Sequence, residues 1–272
     1  MHTNVRGIPI HYESHGDGRP LLAIHGVSTD HRHVEAELEP AFDGRPAPGW
    51  RRLYPDLPGR GETPGADWIT SQDDILDVTL AFLDAVAPGE RFAVLGESWG
   101  AYVAMGVIHR RAADLLGAAF VVGNPLRIGR TAPELRVIVP AGEQLRASLL
   151  EDERDWLDFA VVQTPEMLQA DRDLIRPAIA AADMAFIERV EERTTFSFDV
   201  RELAPFDRPS LILNGRQDPV AGYVDILGML ETFPRATLAI LDRAGHALAS
   251  EQPTLFRTLV GEWLDRMEEA AG

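Results

Sequence analysis

The sequence predicts an α/β fold, in which a mostly parallel sheet carries helices on both faces. Short β-rich runs alternate with longer amphipathic stretches along most of the chain, an order typical of parallel strands joined by helices. Several runs, such as LLAI, FAVL and LILN, are apolar throughout, as strands are when helices cover both faces. The alternation lapses between about 124 and 205, which indicates an insertion.

The candidate strands are short runs of apolar and β-branched residues bounded by turn residues. They are residues 8–13, 20–25, 51–55, 91–95, 118–122, 210–214 and 237–241. The candidate helices have apolar residues at helical intervals, and they are residues 71–86, 98–111 and 254–267. The first of these helices opens with Ser71 and Asp74 at the spacing of a capping box.

The insertion contains three predicted helices, at about 151–163, 165–182 and 183–193, and no convincing core strand. A structureless loop of roughly eighty residues would be improbable in a compact domain. We therefore expect a helical lid at 124–205, inserted into a core domain formed by 1–123 and 206–272.

Bulk composition limits the partners of the protein. A chain of 272 residues with 45% hydrophobic content supports one substantial core with an insertion. The formal net charge of -17 disfavours nucleic acids, because the surface repels phosphate backbones. The chain lacks an apolar run long enough to span a membrane and a recognisable secretory signal, so the sequence predicts a cytoplasmic protein that acts on a small molecule, as a monomer or homodimer.

Two residue types are absent, and each absence excludes a class of chemistry. All 26 cationic side chains are Arg, so Schiff-base catalysis and the P-loop lysine are excluded. The chain has no Cys, which excludes thiol nucleophiles, disulfides and thiolate metal sites and is consistent with a reducing compartment.

Ser98 is the candidate nucleophile. It lies in the pentapeptide GESWG, residues 96–100, after the apolar run FAVL and before the helix-like stretch AYVAMGVIHR. Between a strand and a helix, a G-x-S-x-G motif forms a nucleophile elbow, in which flanking glycines avoid a clash. The motif alone is permissive, and its strand-to-helix context is what favours catalysis.

Asp218 and His246 complete a candidate catalytic triad. A serine hydroxyl needs a base and a group that orients the base. Asp218 follows the strand SLILNG, His246 follows the strand TLAIL, and the order serine, acid, histidine fits a nucleophile elbow. Asp218 could instead cap a helix that begins at Pro219, and His246 could be a loop histidine. Their occurrence together with the elbow favours the triad.

The oxyanion formed by attack on a carbonyl needs hydrogen-bond donors. The backbone N–H groups of Trp99, directly after the nucleophile, and of Val27, in the segment HGVS, are the candidates. Gly26 would let the chain turn closely past the elbow. We expect His25 to brace this loop rather than to act as the base.

The elbow GESWG and the segments HGVS, YPDLPGRGET, GRQDPV and AGHAL resemble the α/β-hydrolase superfamily over nearly the whole chain apart from the lid. The resemblance implies an α/β-hydrolase fold with about eight strands in a mostly parallel central sheet, and a Ser-His-Asp mechanism. The segments HGVSTDHRHVEAELEP and GESWGAY resemble bacterial hydrolases in a group of esterases, C–C hydrolases and proline iminopeptidase-like enzymes. Since epoxide hydrolases and haloalkane dehalogenases of this fold use aspartate at the elbow, Ser98 argues against both activities.

Three residues are candidates for substrate binding: His31 at the pocket wall, Glu97 beside the nucleophile and Trp156 in the lid. The apolar lid side chains form either an acyl pocket or the lid's own core, and these are Trp156, Phe159, Met167, Leu168, Met184 and Phe186. The lid carboxylates would have to hold an amine in an aminopeptidase, but most are expected on solvated faces.

The histidine-rich stretch after the HGVS segment invites a metal-site interpretation, since it contains Asp30, His31, His33 and Glu35. We set it aside because His31 and His33 diverge on a helix. No metal or organic cofactor is expected.

The sequence therefore predicts a serine hydrolase that cleaves a small carboxylic ester, thioester or lactone through an acyl-enzyme. The same triad would also support C–C bond hydrolysis, amide hydrolysis or acyl transfer. A ligand receptor or sensor on the same fold is the alternative from another class.

Overall fold

The computed structural model describes residues 1–46, 49–126 and 131–271. Within these residues eight strands form one sheet, in the spatial order β1-β2-β4-β3-β5-β6-β7-β8. The strands are β1 (His2–Val5), β2 (Ile8–His15), β3 (Gly18–Ile24), β4 (Gly49–Pro55), β5 (Phe92–Glu97), β6 (Leu115–Val121), β7 (Ser210–Gly215) and β8 (Ala236–Leu241).

The pairs β1–β2 and β2–β4 are antiparallel, and all other neighbouring pairs are parallel. The prediction of a mostly parallel sheet of about eight strands is confirmed. All seven candidate strands are present, and none of their ends differs from the predicted one by more than three residues. The edge strand β1 was not predicted, because its four residues are too few to show a period.

Ten α-helices lie in the described residues. They are α1 (His31–Leu38), α2 (Gln72–Val86), α3 (Trp99–Arg111), α4 (Glu143–Ala147), α5 (Pro165–Ala170), α6 (Arg176–Ala181), α7 (Met184–Glu191), α8 (Met229–Thr232), α9 (Leu248–Glu251) and α10 (Pro253–Ala271). Ser71 caps α2, because its side chain accepts a hydrogen bond from the Asp74 N–H, but the Asp74 carboxylate accepts the Thr70 N–H rather than the Ser71 N–H that a full capping box would use. None of these helices is long and apolar enough to cross a membrane.

The core has two layers because neighbouring residues of each buried strand point to opposite faces of the sheet. In β3, Leu22 and Ile24 pack in one apolar cluster with residues of α2 and α3. Leu21 and Ala23 pack in the other cluster with residues of α1 and α10. Helices therefore cover both faces, as predicted.

The described part of the segment between β6 and β7 contains the helices α4 to α7 and an isolated β-bridge between Val139 and Val162. It has its own small core, which includes Trp156, Met167 and Leu168. The lid boundaries at 124 and 205 stay a prediction, and residues 127–130 lie outside the described residues. The helix predicted at 151–163 is wrong in kind and length: a 3-10 helix covers Glu151–Asp158 and then ends. The helix does not continue to residue 163, because the Val161 and Val162 N–H groups donate to the Glu251 carboxylate instead of to helix carbonyl groups.

Candidate active site

Ser98 lies in a strained turn between β5 and α3. Its φ of 52° is in the left-handed region, which is rare for a residue with a side chain. The turn requires glycine on both sides, because a Cβ at Gly96 would lie 2.2 Å from the Gly100 carbonyl oxygen, and a Cβ at Gly100 would lie 2.4 Å from the Ile24 carbonyl oxygen. The local geometry is that of a nucleophile elbow.

The structure brings Ser98, His246 and Asp218 together in one hydrogen-bonded chain. The Ser98 Oγ lies 2.9 Å from His246 Nε2, and His246 Nδ1 lies 2.9 Å from Asp218 Oδ2. The other carboxylate oxygen of Asp218 accepts the N–H groups of Val220 and Ala221, at 2.8 and 3.0 Å. These two bonds fix the carboxylate, so the imidazole donates from Nδ1 and presents Nε2 to the hydroxyl.

The charges around His246 favour its protonated form. Burial acts to lower the pKa of the ring, but the Asp218 carboxylate and, more weakly, Glu97 outweigh it, so the pKa is raised above 6.5. A histidine tuned in this way accepts a proton more readily than a free imidazole does.

The loop after β3 brings the second predicted oxyanion donor to the site. A Cβ at Gly26 would lie only 3.7 Å from the Ser98 Cβ, so this loop passes directly beside the nucleophile. Val27 and Trp99 both line the cavity in front of Ser98. As the first residue of α3, Trp99 has an N–H that no carbonyl of its own helix accepts.

His25 braces this loop, as expected. Its Nδ1–H donates to the Gly26 carbonyl at 2.7 Å, and its Nε2 accepts the Leu57 N–H at 3.0 Å. Burial lowers the pKa of His25 to about 4, so the ring is neutral and holds these two bonds. His25 is fully enclosed and does not line the cavity.

Arg60 connects both candidate oxyanion donors, a role that sequence analysis missed. Its Nε donates to the Val27 carbonyl at 2.8 Å, its Nη1 donates to the Pro58 carbonyl at 2.7 Å, and its guanidinium stacks on the Trp99 ring at 4.4 Å. The side chain is 1% exposed, and burial lowers its pKa to about 9. The signal was present in YPDLPGRGET, where an arginine lies between two glycines in the turn after β4.

A cavity of about 780 Å³ opens in front of Ser98. Its floor comes from the core and includes His246 and Glu97, and its far wall comes from the inserted segment. The apolar part of that wall is Trp156, Phe159, Met167, Leu174, Ile175 and Ile179. Of the apolar lid residues singled out from the sequence, three line the cavity, Leu168 lies in the segment's own core, Phe186 packs in the main core and Met184 is exposed.

The structure places His33, rather than His31, at the cavity. His31 is absent from the cavity lining; its Nδ1 lies 2.8 Å from Asp56 Oδ1. Because α1 begins at His31, two residues turn the chain by about 200°, and His33 points to the opposite side of the helix. Glu97 and Trp156, the other two candidate substrate-binding residues, both line the cavity.

His33 lies between two carboxylates below the elbow. Its Nε2 is 3.3 Å from Glu37 Oε1, and its Nδ1 is 3.2 Å from Glu97 Oε2. Burial disfavours charge on His33, but Glu97 and Glu37 outweigh it and raise its pKa well above 6.5. In turn burial acts to raise the pKa of Glu97, and the charge of His33 reverses this, so the pKa of Glu97 is lowered.

Two groups of side chains come close enough to ligate a metal ion: His11, His31 and Asp56, and His33, Glu37 and Glu97. In the first group the Asp56 carboxylate already accepts both imidazole Nδ1 atoms and the N–H groups of His31 and Glu62. In the second group Glu37 contacts Nε2 of His33 and Glu97 contacts Nδ1. A histidine binds one ion through one nitrogen, so carboxylates that shared the ion would lie on the same side of the ring. Both arrangements are those of internal ion pairs.

Glu251 ties the loop of His246 to the inserted segment. Its carboxylate accepts the Gly245 N–H and the N–H groups of Val161 and Val162. Burial raises its pKa, against the effect of these three donors. The inserted segment that forms a wall of the cavity and the loop that carries His246 therefore share one anchoring group.

Residues 21–259 match the family model described as the alpha/beta hydrolase family. The chain belongs to the alpha/beta hydrolase family. Family membership and the sheet order together support hydrolase activity for the protein.

Several known proteins resemble the chain along nearly its whole length but at low identity. Pimeloyl-[acyl-carrier protein] methyl ester esterase of Legionella pneumophila is 24% identical over 261 residues, which cover 94% of this chain and 99% of that protein. A 2-hydroxymuconate semialdehyde hydrolase of Pseudomonas is 27% identical over 97% of this chain and 93% of that protein. Among solved structures, an alpha/beta superfamily hydrolase of Oenococcus oeni has a TM-score of 0.87 at 22% identity, over 98% of this chain and 99% of that one.

Proposed function

We propose that the protein is a serine hydrolase that cleaves a small carboxylic ester, thioester or lactone through an acyl-enzyme. The observation that carries the proposal is the continuous hydrogen-bonded chain from Ser98 through His246 to Asp218, at 2.9 Å for each step. Ser98 and His246 line a cavity whose volume suits a small molecule.

In the proposed reaction His246 Nε2 takes the hydroxyl proton while Ser98 Oγ attacks the substrate carbonyl carbon. The backbone N–H groups of Val27 and Trp99 hold the oxyanion of the tetrahedral intermediate. Collapse of the intermediate breaks the bond to the leaving group, which receives the proton from His246. Water, deprotonated by His246, then attacks the acyl-enzyme and releases the carboxylic acid and free Ser98.

Labelling with a fluorophosphonate tests the nucleophile directly. We expect the reagent to phosphonylate wild-type protein at Ser98, located by mass spectrometry, and to leave Ser98→Ala unlabelled. His246→Ala should label far more slowly, because the hydroxyl then lacks its base. Absence of labelling in folded wild-type protein would contradict the proposal and would favour a ligand receptor.

Hydrolysis of a C–C bond is the second candidate, favoured by the similarity to the 2-hydroxymuconate semialdehyde hydrolase. A panel of p-nitrophenyl esters and vinylogous diketones separates the two activities. Turnover of the esters alone supports ester hydrolysis, whereas turnover of the diketones at a higher kcat/KM supports C–C hydrolysis.

A further inference from the structure

Glu251 is a buried carboxylate that is held by backbone donors rather than by a cation. It lies on α9, five residues after His246, and is 7% exposed. Within residues 1–46, 49–126 and 131–271, the hydrogen bonds that it accepts come from the N–H groups of Gly245 at 2.5 Å, Val161 at 2.9 Å and Val162 at 3.2 Å. Burying a carboxylate without a counter-ion is costly, so the position is one where an acceptor is needed.

The two carboxylate oxygens bind different parts of the chain. Oε2 accepts the N–H of Gly245, the residue directly before His246, and Oε1 accepts the N–H groups of Val161 and Val162 in the inserted segment. Because all three partners donate, the site suits a group that only accepts, and a carboxamide would turn its own NH2 towards one of them. The carboxylate of Glu251 is therefore required, rather than any polar side chain of that length.

The loop of His246 and the inserted segment also contact each other directly. A Cβ at Gly245 would lie 2.7 Å from Val161 Cγ2, so the missing side chain lets the segment lie against the loop. Ala247, the residue after the base, packs against the apolar core of the segment. The Phe159 ring stands at 82° to the imidazole, with 6.0 Å between the ring centroids. The base is therefore flanked on both sides along the chain by contacts with the segment.

We propose that Glu251 is a positioning residue for the base, which joins the loop of His246 and residues 159–162 into one unit and so keeps the imidazole in place beside Ser98. This inference rests on the proposed function. Glu251 contacts none of the reacting atoms and acts through the Gly245 N–H. The imidazole is sensitive to such support, because a displacement of about 1 Å in a catalytic group can cost about 100-fold in rate.

Glu251→Gln tests the carboxylate at unchanged size. We expect kcat for a p-nitrophenyl ester to fall at least about tenfold, with a smaller change in KM, and fluorophosphonate labelling of Ser98 to slow by a similar factor. Labelling by a small reagent depends on the Ser98–His246 pair and little on the cavity wall. Glu153→Gln is the matched control, since it removes a buried carboxylate of the same segment that pairs with Arg172 instead. It should lower Tm and keep both rates.

A second pair of variants tests the contact without changing the carboxylate. In Gly245→Ala the new methyl group would lie 2.7 Å from Val161 Cγ2, so it should push the segment away from the loop and lower kcat and the labelling rate. Val161→Ala removes that Cγ2, and in the double variant it should restore most of both rates. Two independent losses of stability would add instead of compensating.

Amide hydrogen exchange of the wild type tests the same unit without any substitution. The amides of Gly245, Val161 and Val162 should be protected to within about tenfold of one another, as groups that open in a single step. A wider spread would mean that the loop and the segment open separately, and it would overturn the inference even if Glu251→Gln does not fold.

Wild-type rates in Glu251→Gln would overturn the inference. An equal loss of rate in Glu153→Gln would do the same, because damage anywhere in the segment would then be sufficient, and so would a double variant no faster than Gly245→Ala. Absence of both turnover and labelling in the wild type would overturn the proposed function instead. Hydrogen exchange would then still decide whether the loop and the segment form one unit.

Discussion

Two histidine–aspartate pairs in this protein have nearly the same chemistry and different consequences. Asp218 and Asp56 are both fully buried, and each accepts a hydrogen bond from an imidazole Nδ1 and from two backbone N–H groups. The far nitrogen of His246 meets the Ser98 hydroxyl at 2.9 Å. The ring of His31 instead packs against a second imidazole, that of His11, with 4.8 Å between ring centroids.

The difference teaches that the acid–histidine pair does not by itself make a catalytic group. Asp56 connects three parts of the chain, because it binds His11 of β2, His31 at the start of α1 and the N–H of Glu62 in the turn after β4. That turn carries Arg60, which donates to the Val27 carbonyl in the loop beside Ser98. We infer that one pair serves the reaction and the other holds the loops around it.

The largest expected effect separates the pairs by activity. We expect Asp218→Asn to lower kcat about 10⁴-fold with little change in Tm, because the amide favours the wrong tautomer of His246. Ester hydrolysis and thermal unfolding measure the two quantities. A loss of less than tenfold would mean that Asp218 does not orient the base.

Asp56→Asn should act mainly on stability. We expect a loss of about 3 kcal/mol in the free energy of unfolding, as for a broken buried charge pair, with a smaller loss of kcat than Asp218→Asn. Denaturant unfolding provides the measurement. An inactive Asp56→Asn protein of wild-type stability would contradict the division of roles.

The pH dependence of stability gives a second measurement on Asp56. Burial acts to raise its pKa, but the hydrogen bonds from His31 and from backbone N–H groups outweigh it and lower the pKa to about 2. Since this lies below the unfolded value of about 4, the stabilisation is present above pH about 4 and is lost as the pH falls towards 2. Asp56→Asn should remove that part of the acid sensitivity.

Arg60→Met tests how far the supporting loop contributes to catalysis. Methionine keeps part of the apolar volume but loses the bonds to the Val27 and Pro58 carbonyls. We expect kcat to fall about tenfold with KM nearly unchanged, because oxyanion donors act in the transition state. Arg189→Met, which removes an exposed guanidinium, is the control and should keep the wild-type kcat. If Arg60→Met raised KM and left kcat unchanged, a role of Arg60 at the oxyanion would be contradicted.

The smallest expected effect is a shift of the pH profile. Reaction requires neutral His246, so kcat/KM should fall as the pH drops through the raised pKa of that ring, which lies above 6.5. Glu97 contributes to this raised pKa, and Glu97→Gln should therefore move the acid limb to lower pH. If the acid limb of the Glu97→Gln profile lay at the wild-type pH, the charge of Glu97 would not affect the pKa of His246.

The fold and the turns on which Ser98, Asp218 and His246 lie were predictable because their signals are local. The apolar runs LLAI, FAVL and LILN are strands in the structure, and GESWG lies at the turn from β5 to α3. Where competing tertiary contacts act, prediction was less accurate. The helix expected at 151–163 ends early, since two of its N–H groups bind the distant Glu251.

The sequence by itself determined the order of strands and helices and the turns that carry Ser98, Asp218 and His246, since periodicity, glycines and strand ends act between near neighbours. Only the tertiary structure decided that His33 rather than His31 reaches the cavity, that Glu97 is its partner, and that Arg60 holds the loop of Val27. These contacts join residues far apart in the chain. They depend on how helices and loops are rotated against the sheet, and packing of the whole domain sets that rotation.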